Sequence, residues 1–332
     1  MVTKGINRMT LTSIPKIIEK SLQKRSHLRK ITNALRLVNG KGDGLEGLTL
    51  DQYSQHFLIQ QFHPKAKVYI ETVASFIKTA FDPQFLIVKD RTSADGRSLD
   101  QPKFKILIDK SGSKTVVDEN GLKFAVDLND TVSTGLFLDM RTNRKMIGEL
   151  SKGKRILNCF AYTCSFGVYC RAKGAVDVIN VDISKKNLDK GSQNYQLNGI
   201  EASKKEFVKD NCHNYLMRIV KRGEIFDVVI LDPPSFARYD NKVFNVERDL
   251  SELIALSLKV IDFKGVLFVS TNFSGLSNDN LSSKIRKICQ LNGKNPSNIT
   301  SFGQDSDFPG SGTMKESFLR SEEHTSELQS QR

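Results

Sequence analysis

The sequence has few cysteines and no long apolar run. Its 332 residues include only five cysteines, and no stretch stays apolar for long enough to span a bilayer. The cysteine count is odd, and Cys159 and Cys164 have neither a second cysteine pair nor matched histidines, so the sequence predicts no disulfide framework and no metal site. The N-terminus lacks the apolar segment of a secretory signal. Together these absences predict a cytoplasmic protein with reduced thiols.

Charge is unevenly distributed along the chain. The formal net charge is +13, and residues 1–35 contain eight lysines and arginines but only one acidic residue, Glu19, so this segment carries +7 of it. A basic arm on a body of near-average composition predicts a polyanionic partner, and nucleic acid suits it better than a membrane surface. The alternative is a solvated helix that happens to be basic.

Residues 36–130 are predicted to form a small α+β domain after the basic arm, which itself contains a helix over 14–30. Four glycines between two apolar runs in 35–50 predict a strand, a tight loop and a strand. The other predicted elements are strands at 57–62, 85–89 and 123–128, a helix at 67–81, and a polar loop at 92–103.

From about residue 145 the pattern changes to alternating strands and helices. The run Asp227-Val228-Val229-Ile230-Leu231 is apolar at four consecutive positions, which is typical of a strand buried on both faces of a parallel sheet. The alternation predicts right-handed crossovers and a doubly wound α/β sheet, with ligands bound beyond the carboxyl ends of its strands. The predicted strands are 155–160, 176–181, 206–209, 226–231 and 266–270.

Polar or small residues follow the first three of these strands. The loop from Asn158 to Gly167 has small residues that let its backbone approach a ligand, although an ordinary strand–helix turn has the same appearance. Asp182 can accept hydrogen bonds from both hydroxyls of a ribose, or it can cap the next helix. Asp210 with Asn211 can accept from the amine of an adenine, or it can stabilise a turn.

The segment Asp232-Pro233-Pro234-Ser235-Phe236, after the fourth strand, is the most specific signal. Its two prolines fix φ twice and favour extended geometry in the preceding residue, which makes the loop stiff. Asp232 and the neighbouring carbonyls then point from the strand end toward a ligand, and Phe236 can stack on a base. A surface turn needs no aspartate at the end of an Ile-Leu strand, so we favour a base-binding function.

The chain resembles the class I S-adenosylmethionine-dependent methyltransferases of bacterial large-subunit (23S) ribosomal RNA. The resemblance rests on Asp-Pro-Pro-Ser-Phe, on the Phe-x-Tyr-Thr loop upstream, and on Thr-Gly-Leu-Phe-Leu-Asp-Met-Arg at 134–141, and it extends over residues 14–319. It implies an α/β fold with a Rossmann-like class I methyltransferase sheet, helices on both of its faces, and a small α+β domain before it that contacts RNA. Residues 131–319 would form the cofactor-binding domain.

The resemblance also implies functional residues, with S-adenosylmethionine as cofactor and no metal. Asp232 would orient or deprotonate the target amine within a loop stiffened by Pro233, Phe236 would stack on the base, and Asn272 would hold its edge. The residues implied to contact the cofactor are Thr134, Phe137, Asp139, Arg141, Asn158, Phe160, Tyr162, Thr163, Asp182, Ile183, Asp210, Asn211 and Asp232.

The sequence departs from the family pattern in three places. Members usually begin with an RNA-binding PUA domain, whereas this sequence starts at what resembles the helix after it. Cys164 replaces a common glycine, for which we expect a packing role. After the fifth strand, Thr271-Asn272-Phe273-Ser274-Gly275 stands where members that make 5-methylcytosine have Cys-Ser-Cys-Ser-Gly, and cytosine C5 needs a cysteine thiolate to react.

The missing cysteines favour methylation of a base nitrogen over cytosine C5. Members that make 7-methylguanine have an asparagine-rich segment at this place, and Asn272 fits that better. Cytosine C5 methylation remains the first alternative. The second is a non-catalytic RNA-binding protein with a relic cofactor pocket, against which the carboxylates at three strand ends argue.

The last residues, 320–332, have no apolar pattern and resemble translated sequencing-adapter read-through. We expect this tail to be non-native and to take no part in the fold. Residues 317–319 look like the start of a final strand that is cut short.

Overall fold

The computed structural model describes residues 8–92, 103–130, 133–234, 236–239, 242–271, 273, 276–310 and 320–325. The chain divides into two compact units. The small unit contains the chain up to Asp139 and the later residues 305–310, and the large unit contains the rest. The predicted boundary lay between residues 130 and 131, whereas the structure places it after Asp139. The return of the chain to the small unit at 305–310 was not predicted either.

Hydrogen bonds and burial explain this return. Asp307 is fully buried, and its carboxylate accepts the Arg36 backbone N–H at 3.0 Å. The Asn39 amide donates to the Pro309 carbonyl at 3.1 Å. The segment 305–310 is therefore tied to the first strand of the small unit by bonds between residues distant in sequence.

The small unit has two α-helices and seven strands in its described residues. They are α1 Arg8–Lys24, β1 Ala34–Asn39, β2 Leu48–Tyr53, β3 His56–Gln61, α2 Lys67–Phe81, β4 Phe85–Asp90, β5 Lys103–Asp109, β6 Lys114–Glu119 and β7 Leu122–Asp127. Strands β1 to β5 form one sheet in chain order, antiparallel except for the β3–β4 pair, and β6 with β7 forms a hairpin. Strands β5 and β6 were not predicted, because β5 is an exposed edge strand whose charged residues hide its alternation.

Helix α1 corrects the prediction of a separate basic arm. Its Ile14 and Ile18 are fully buried in the same core as Leu50 of β2 and Ile77 of α2. The helix therefore belongs to the small unit, and its lysines lie on the solvent-exposed side of the helix. It also ends at Lys24 rather than at residue 30.

The large unit alternates strands and helices as predicted. Its elements are α3 Arg141–Glu149, β8 Arg155–Cys159, α4 Ser165–Ala172, β9 Asp177–Asp182, α5 Lys185–Leu197, β10 Phe207–Lys209, α6 Cys212–Arg222, β11 Phe226–Leu231, β12 Phe236–Tyr239, β13 Lys242–Asn245, α7 Val246–Val260, β14 Ile261–Thr271, α8 Asn278–Leu291, β15 Asn298–Phe302 and β16 Arg320–Thr325.

The main sheet of this unit is largely parallel and covered on both faces. Its order is β10-β9-β8-β11-β14-β16-β15, so the strand order reverses between β8 and β11. Alternate residues of one strand face opposite cores: Ile230 of β11 packs in the cluster that includes α3 and α4 residues, and Leu231 packs in the cluster that includes residues of α6, α7 and α8. This arrangement confirms the predicted doubly wound α/β sheet.

Arg320–Thr325 take part in the fold, which was not expected of the tail, while its non-native origin stays a prediction. These residues form β16, which pairs antiparallel with β14 on one side and with β15 on the other. Backbone hydrogen bonds depend little on side-chain pattern, so a polar segment can fill the gap between two strands. Residues 317–319, predicted as the start of that strand, lie outside the described residues.

Candidate functional site

The reversal of strand order brings two carboxylates to one edge of the main sheet. Strands β9 and β11 both run parallel to β8, with their ends in register. Asp182, Phe160 and Asp232 therefore lie side by side at the carboxyl edge. Neighbouring strands are about 4.8 Å apart, so the backbones of the two aspartates are separated by about 10 Å. This edge at a strand-order reversal is where open α/β sheets bind ligands.

The Asp182 carboxylate is fixed by two backbone donors. One oxygen accepts the Tyr162 N–H and the other accepts the Ser184 N–H, both at 2.8 Å. Burial raises the pKa of Asp182, while these N–H groups act in the opposite direction. The helix cap considered for Asp182 is formed by Ser184, whose hydroxyl accepts from Asn187. The Asn187 side chain is a further hydrogen-bond partner of this carboxylate, and the lone pairs of its two oxygens still leave room for a ligand hydroxyl.

The loop after β8 has an unusual backbone. Phe160, Tyr162 and Cys164 all have positive φ angles, of 58°, 49° and 57°, although none is glycine. Such conformations cost about 1–3 kcal/mol each and cluster at functional sites. No pattern in the sequence predicted these conformations. The alternating strain turns the loop sharply at the carboxyl edge, beside Asp182.

Helix α5 packs against this loop. A Cβ on Gly191 would lie 2.9 Å from the Cβ of Cys164 and closer still to its sulfur, so the two residues are in tight contact. The buried Asn194 amide donates to the Thr163 carbonyl at 3.0 Å. Cys164 is fully buried, which agrees with the packing role expected for it. Neither Gly191 nor Asn194 was predicted from the sequence.

A buried polar network lies beneath the site. The Asn158 amide donates to Asn180 at 2.9 Å, and Asn180 in turn donates to the Tyr195 hydroxyl at 3.0 Å. Asn158 is only 1% exposed, so its side chain supports the site from within the sheet. Asn180 and Tyr195 were missed, although an asparagine in the middle of an apolar strand was a visible signal.

The third strand end is less open than predicted. Asp210 forms an ion pair with Arg218 and accepts the Asn211 N–H at 2.8 Å. The Asn211 side chain caps α6 by accepting from Asn214. Of the predicted residues here, Ile183 offers an apolar surface, with 39% of it exposed next to Asp182.

Asp232 is held by a residue of the neighbouring strand. The register of β11 and β14 pairs Leu231 with Val269, which places Asp232 beside Ser270. The buried Ser270 hydroxyl donates to an Asp232 oxygen. Ser270 was not identified from the sequence, because serine at the end of a strand is common.

The rest of the predicted catalytic group is only partly described. Pro233 is buried and Pro234 is exposed. Phe236 lies in β12 by its backbone, but its side chain falls outside the described residues, as does all of Asn272. Their predicted roles remain predictions.

A family model for S-adenosylmethionine-dependent methyltransferases matches residues 106–290, which is more than half of the chain. The chain belongs to this family. A curated relative, ribosomal RNA large subunit methyltransferase I of Aeromonas salmonicida, is 32% identical over 85% of this chain and 72% of its own length. The protein of the same name from Escherichia coli is 30% identical over 86% of this chain and 72% of its own length.

A solved structure agrees with the fold of this methyltransferase. SMU.776, described as a methyltransferase in complex with SAH, superposes with a TM-score of 0.84 and 25% identity, over 95% of this chain and 81% of its own. The protein is thus an enzyme with the class I methyltransferase fold, and S-adenosylmethionine is its cofactor. The strand-end residues fit that cofactor, because Asp182 supplies the acceptors that a ribose needs.

Four predicted cofactor residues belong to other parts of this methyltransferase. Thr134, Phe137 and Asp139 lie in the small unit, where the Thr134 hydroxyl bonds to the Tyr53 hydroxyl at 3.0 Å. Arg141 is buried at the start of α3 in the large unit. Their contact with the cofactor remains a prediction.

The described residues contain neither a membrane-spanning helix nor a cluster of metal ligands. No described helix combines the length and apolarity needed to cross a bilayer. Within the same residues, no group of three or more histidine, cysteine or acidic side chains is placed to hold a metal ion.

Proposed function

We propose that this methyltransferase modifies a base of large-subunit ribosomal RNA, at a nitrogen atom, in the cytoplasm. The substrate class is supported by relatives named ribosomal RNA large subunit methyltransferase, at 30–32% identity over about 85% of the chain. The single observation that carries the choice of nitrogen is the burial of all five cysteines.

Cytosine C5 methylation requires a thiolate that attacks C6 of the base. Burial raises the pKa of Cys164 and Cys212, and raises the pKa of Cys170 to about 12 and that of Cys289 to about 11. Buried thiols with raised pKa values are poor nucleophiles. Thr271 ends β14 where the 5-methylcytosine members begin their cysteine motif, so no thiol is supplied there either.

A base nitrogen needs no covalent activation. When bound, S-adenosylmethionine supplies an electrophilic methyl group on a sulfonium. Asp232, oriented by Ser270, accepts the proton or hydrogen bond of the target amine, which increases electron density at the nitrogen. Positioning of the base against the methyl group then supplies much of the rate.

Different residues contact different parts of the cofactor. The Tyr162 and Ser184 N–H groups orient the Asp182 carboxylate, which accepts the ribose hydroxyls. Ile183 covers one face of the adenine with its exposed side chain. Asp210 accepts from the adenine amine beside its ion pair with Arg218.

The small unit supplies electrostatic attraction for RNA. Lys16, Lys20 and Lys24 follow one another at four-residue spacing on α1, and all three are exposed. This spacing puts them in one row on the helix surface, where like charges repel unless a polyanion is bound. The row suits the phosphates of an RNA strand.

The experiment compares ribosomal RNA from a strain lacking the gene with RNA from its parent. Mass mapping of nuclease fragments should show one large-subunit base that lacks 14 mass units, about one methylene, with restoration by the wild-type gene but not by Asp232→Asn. An unchanged pattern would contradict the RNA proposal. Loss of 5-methylcytosine would support the relatives' substrate class but contradict the nitrogen target.

A further inference from the structure

The sheet of the small unit has one apolar and one polar face. The apolar face, which includes Leu50, Ile59 and Val88, packs against α1 and α2. The opposite face carries charged and amide side chains on four neighbouring strands, and these side chains are largely withdrawn from solvent. They are Arg36 of β1, Asp51 of β2, Gln60 of β3 and Lys89 of β4.

These polar side chains form a connected row. Arg36 donates to both oxygens of Asp51, at 2.7 and 3.1 Å. Gln60 donates to Asp51 at 3.3 Å and accepts from the Arg91 Nε at 2.7 Å. Each member therefore fixes the next, and the row ends at Arg91, whose terminal NH₂ groups have no acceptor in the part of the chain that is described.

Lys89 adds a second cation to the same face. It is 1% exposed, and its ammonium donates to the Asp130 carbonyl at 2.5 Å, the one acceptor it has among the described residues. Burial lowers the pKa of Lys89 to about 8. Burying charge in this way costs free energy that apolar residues of similar size would avoid, which suggests that the cluster has a function besides stability.

These residues line a pocket of about 180 Å³ that lies within the small unit. Phe137 forms part of its wall, with 47% of its surface exposed, and the Arg36 guanidinium lies 4.6 Å from the Phe308 ring centroid. Its charged side chains are three cations, Arg36, Lys89 and Arg91, and two carboxylates, Asp51 and Asp139, which leaves it net positive.

We propose that this pocket binds one nucleotide of the RNA substrate, with a phosphate against Lys89 and Arg91 and a base on the ring of Phe137. The terminal NH₂ groups of Arg91, which have no acceptor among the described residues, and the ammonium of Lys89, which has one there, are charged donors suited to phosphate oxygens. An exposed aromatic ring beside such cations is the usual combination for single-stranded nucleic acid. The inference rests on the proposed function, because it requires RNA as substrate.

The experiment measures binding of the full chain to a large-subunit RNA fragment that the wild-type enzyme methylates. Lys89→Met and Arg91→Met should each weaken RNA binding about tenfold or more, since each removes a charged hydrogen-bond donor. Each should also reduce the slope of log affinity against log salt by about one. Phe137→Ala should weaken binding about tenfold without changing the slope, whereas Phe137→Tyr should retain it.

Controls separate this site from general charge loss and from misfolding. Lys78→Met removes one exposed charge from α2, behind the apolar face, and should alter neither affinity nor slope by as much. The melting temperature of Lys89→Met should equal or exceed that of wild type, because a buried cation is lost.

The outcomes distinguish the two proposals. Unchanged RNA binding by the three pocket variants, with an active wild type, would overturn the pocket proposal alone. Calorimetry of Lys89→Met and Arg91→Met should give wild-type affinity for S-adenosylmethionine; a selective loss of that affinity in either variant would assign the anion site to the cofactor carboxylate and overturn the inference. If wild type neither binds nor methylates large-subunit RNA, the proposed function itself fails.

Discussion

The two sheets of this methyltransferase place their polar residues in different ways. In the large unit both faces of the sheet pack in apolar clusters, and Asp182 and Asp232, which we propose to bind ligands, stand at the ends of strands. In the small unit polar residues such as Asp51 and Lys89 lie on strands, in the middle of one sheet face.

This difference determines whether each kind of site can be recognised from the sequence. A continuous apolar strand makes the first polar residue after it conspicuous, so a site at a strand end is visible in the sequence. A polar sheet face gives the same alternation as a strand that faces water. Only the burial of Asp51 and Lys89 reveals that this face is not a solvent surface.

The largest expected effect concerns Asp232. Asp232→Ala should lower the methylation rate by about 10²–10⁴-fold, as loss of an acid–base group does, while affinity for S-adenosylmethionine changes little. Single-turnover assays and calorimetry give the two values. Ser270→Ala, which removes only the positioning donor, should have a much smaller effect on rate. Equal loss of cofactor affinity in the Asp232 variant would show that this strand end holds the cofactor rather than the base.

The second effect concerns Asp182. Asp182→Ala should weaken S-adenosylmethionine binding about 10–100-fold, because two hydrogen bonds to a charged acceptor are lost. Calorimetry measures the affinity. RNA binding should persist in this variant, which would separate the functions of the two sheets.

The pH dependence of cofactor binding follows from the pKa of the same residue. Burial raises the pKa of Asp182 above its ordinary value, and only the ionised form accepts two hydroxyls. Cofactor affinity should therefore be full above that pKa and fall as pH decreases through it. Asp182→Asn should bind more weakly and show a flatter profile, and a wild-type profile without an acidic decline would contradict the ribose assignment.

The next prediction concerns the packing of Gly191 against Cys164 in the strained loop. Gly191→Ala should destabilise the protein by about 1–3 kcal/mol, because its new methyl group collides with Cys164. Cys164→Gly removes both the sulfur and the Cβ that the new methyl group meets, so the double variant should recover most of that loss in urea unfolding. Additive losses would mean that the two residues do not contact each other in solution.

The smallest effect is expected from Tyr195→Phe. It removes the hydroxyl that accepts from Asn180 and should cost about 1 kcal/mol of unfolding free energy. Urea titration measures this loss, and methylation by the folded variant should stay close to wild type. A large loss of methylation activity at unchanged stability would show that Tyr195 has a direct role in the reaction.

The sequence predicted much of the large sheet and little of what surrounds its site. Strand 226–231 and helix 67–81 were predicted with their observed bounds, because a continuous apolar run and a helical period are strong local signals. The positive φ angles of Phe160 and Tyr162 were not predictable, since neither residue is glycine and the strain depends on tertiary contacts.

Long-range contacts explain the other differences. Ser270 and Gly191 matter through residues 38 and 27 positions away in the chain, which no local pattern reveals. The return of segment 305–310 to the small unit likewise depends on Asp307 meeting Arg36. The strand Arg320–Thr325 was missed because its place is defined by two neighbouring strands rather than by its own side chains.

The most direct test supplies the purified enzyme with large-subunit RNA and S-adenosylmethionine carrying a deuterated methyl group, and then resolves the nucleosides by mass. We expect one labelled nucleoside, methylated on nitrogen, formed by wild type and by a Cys289→Ala variant but not by Asp232→Ala. Label in 5-methylcytosine, dependence on a cysteine, or no incorporation into RNA would contradict it.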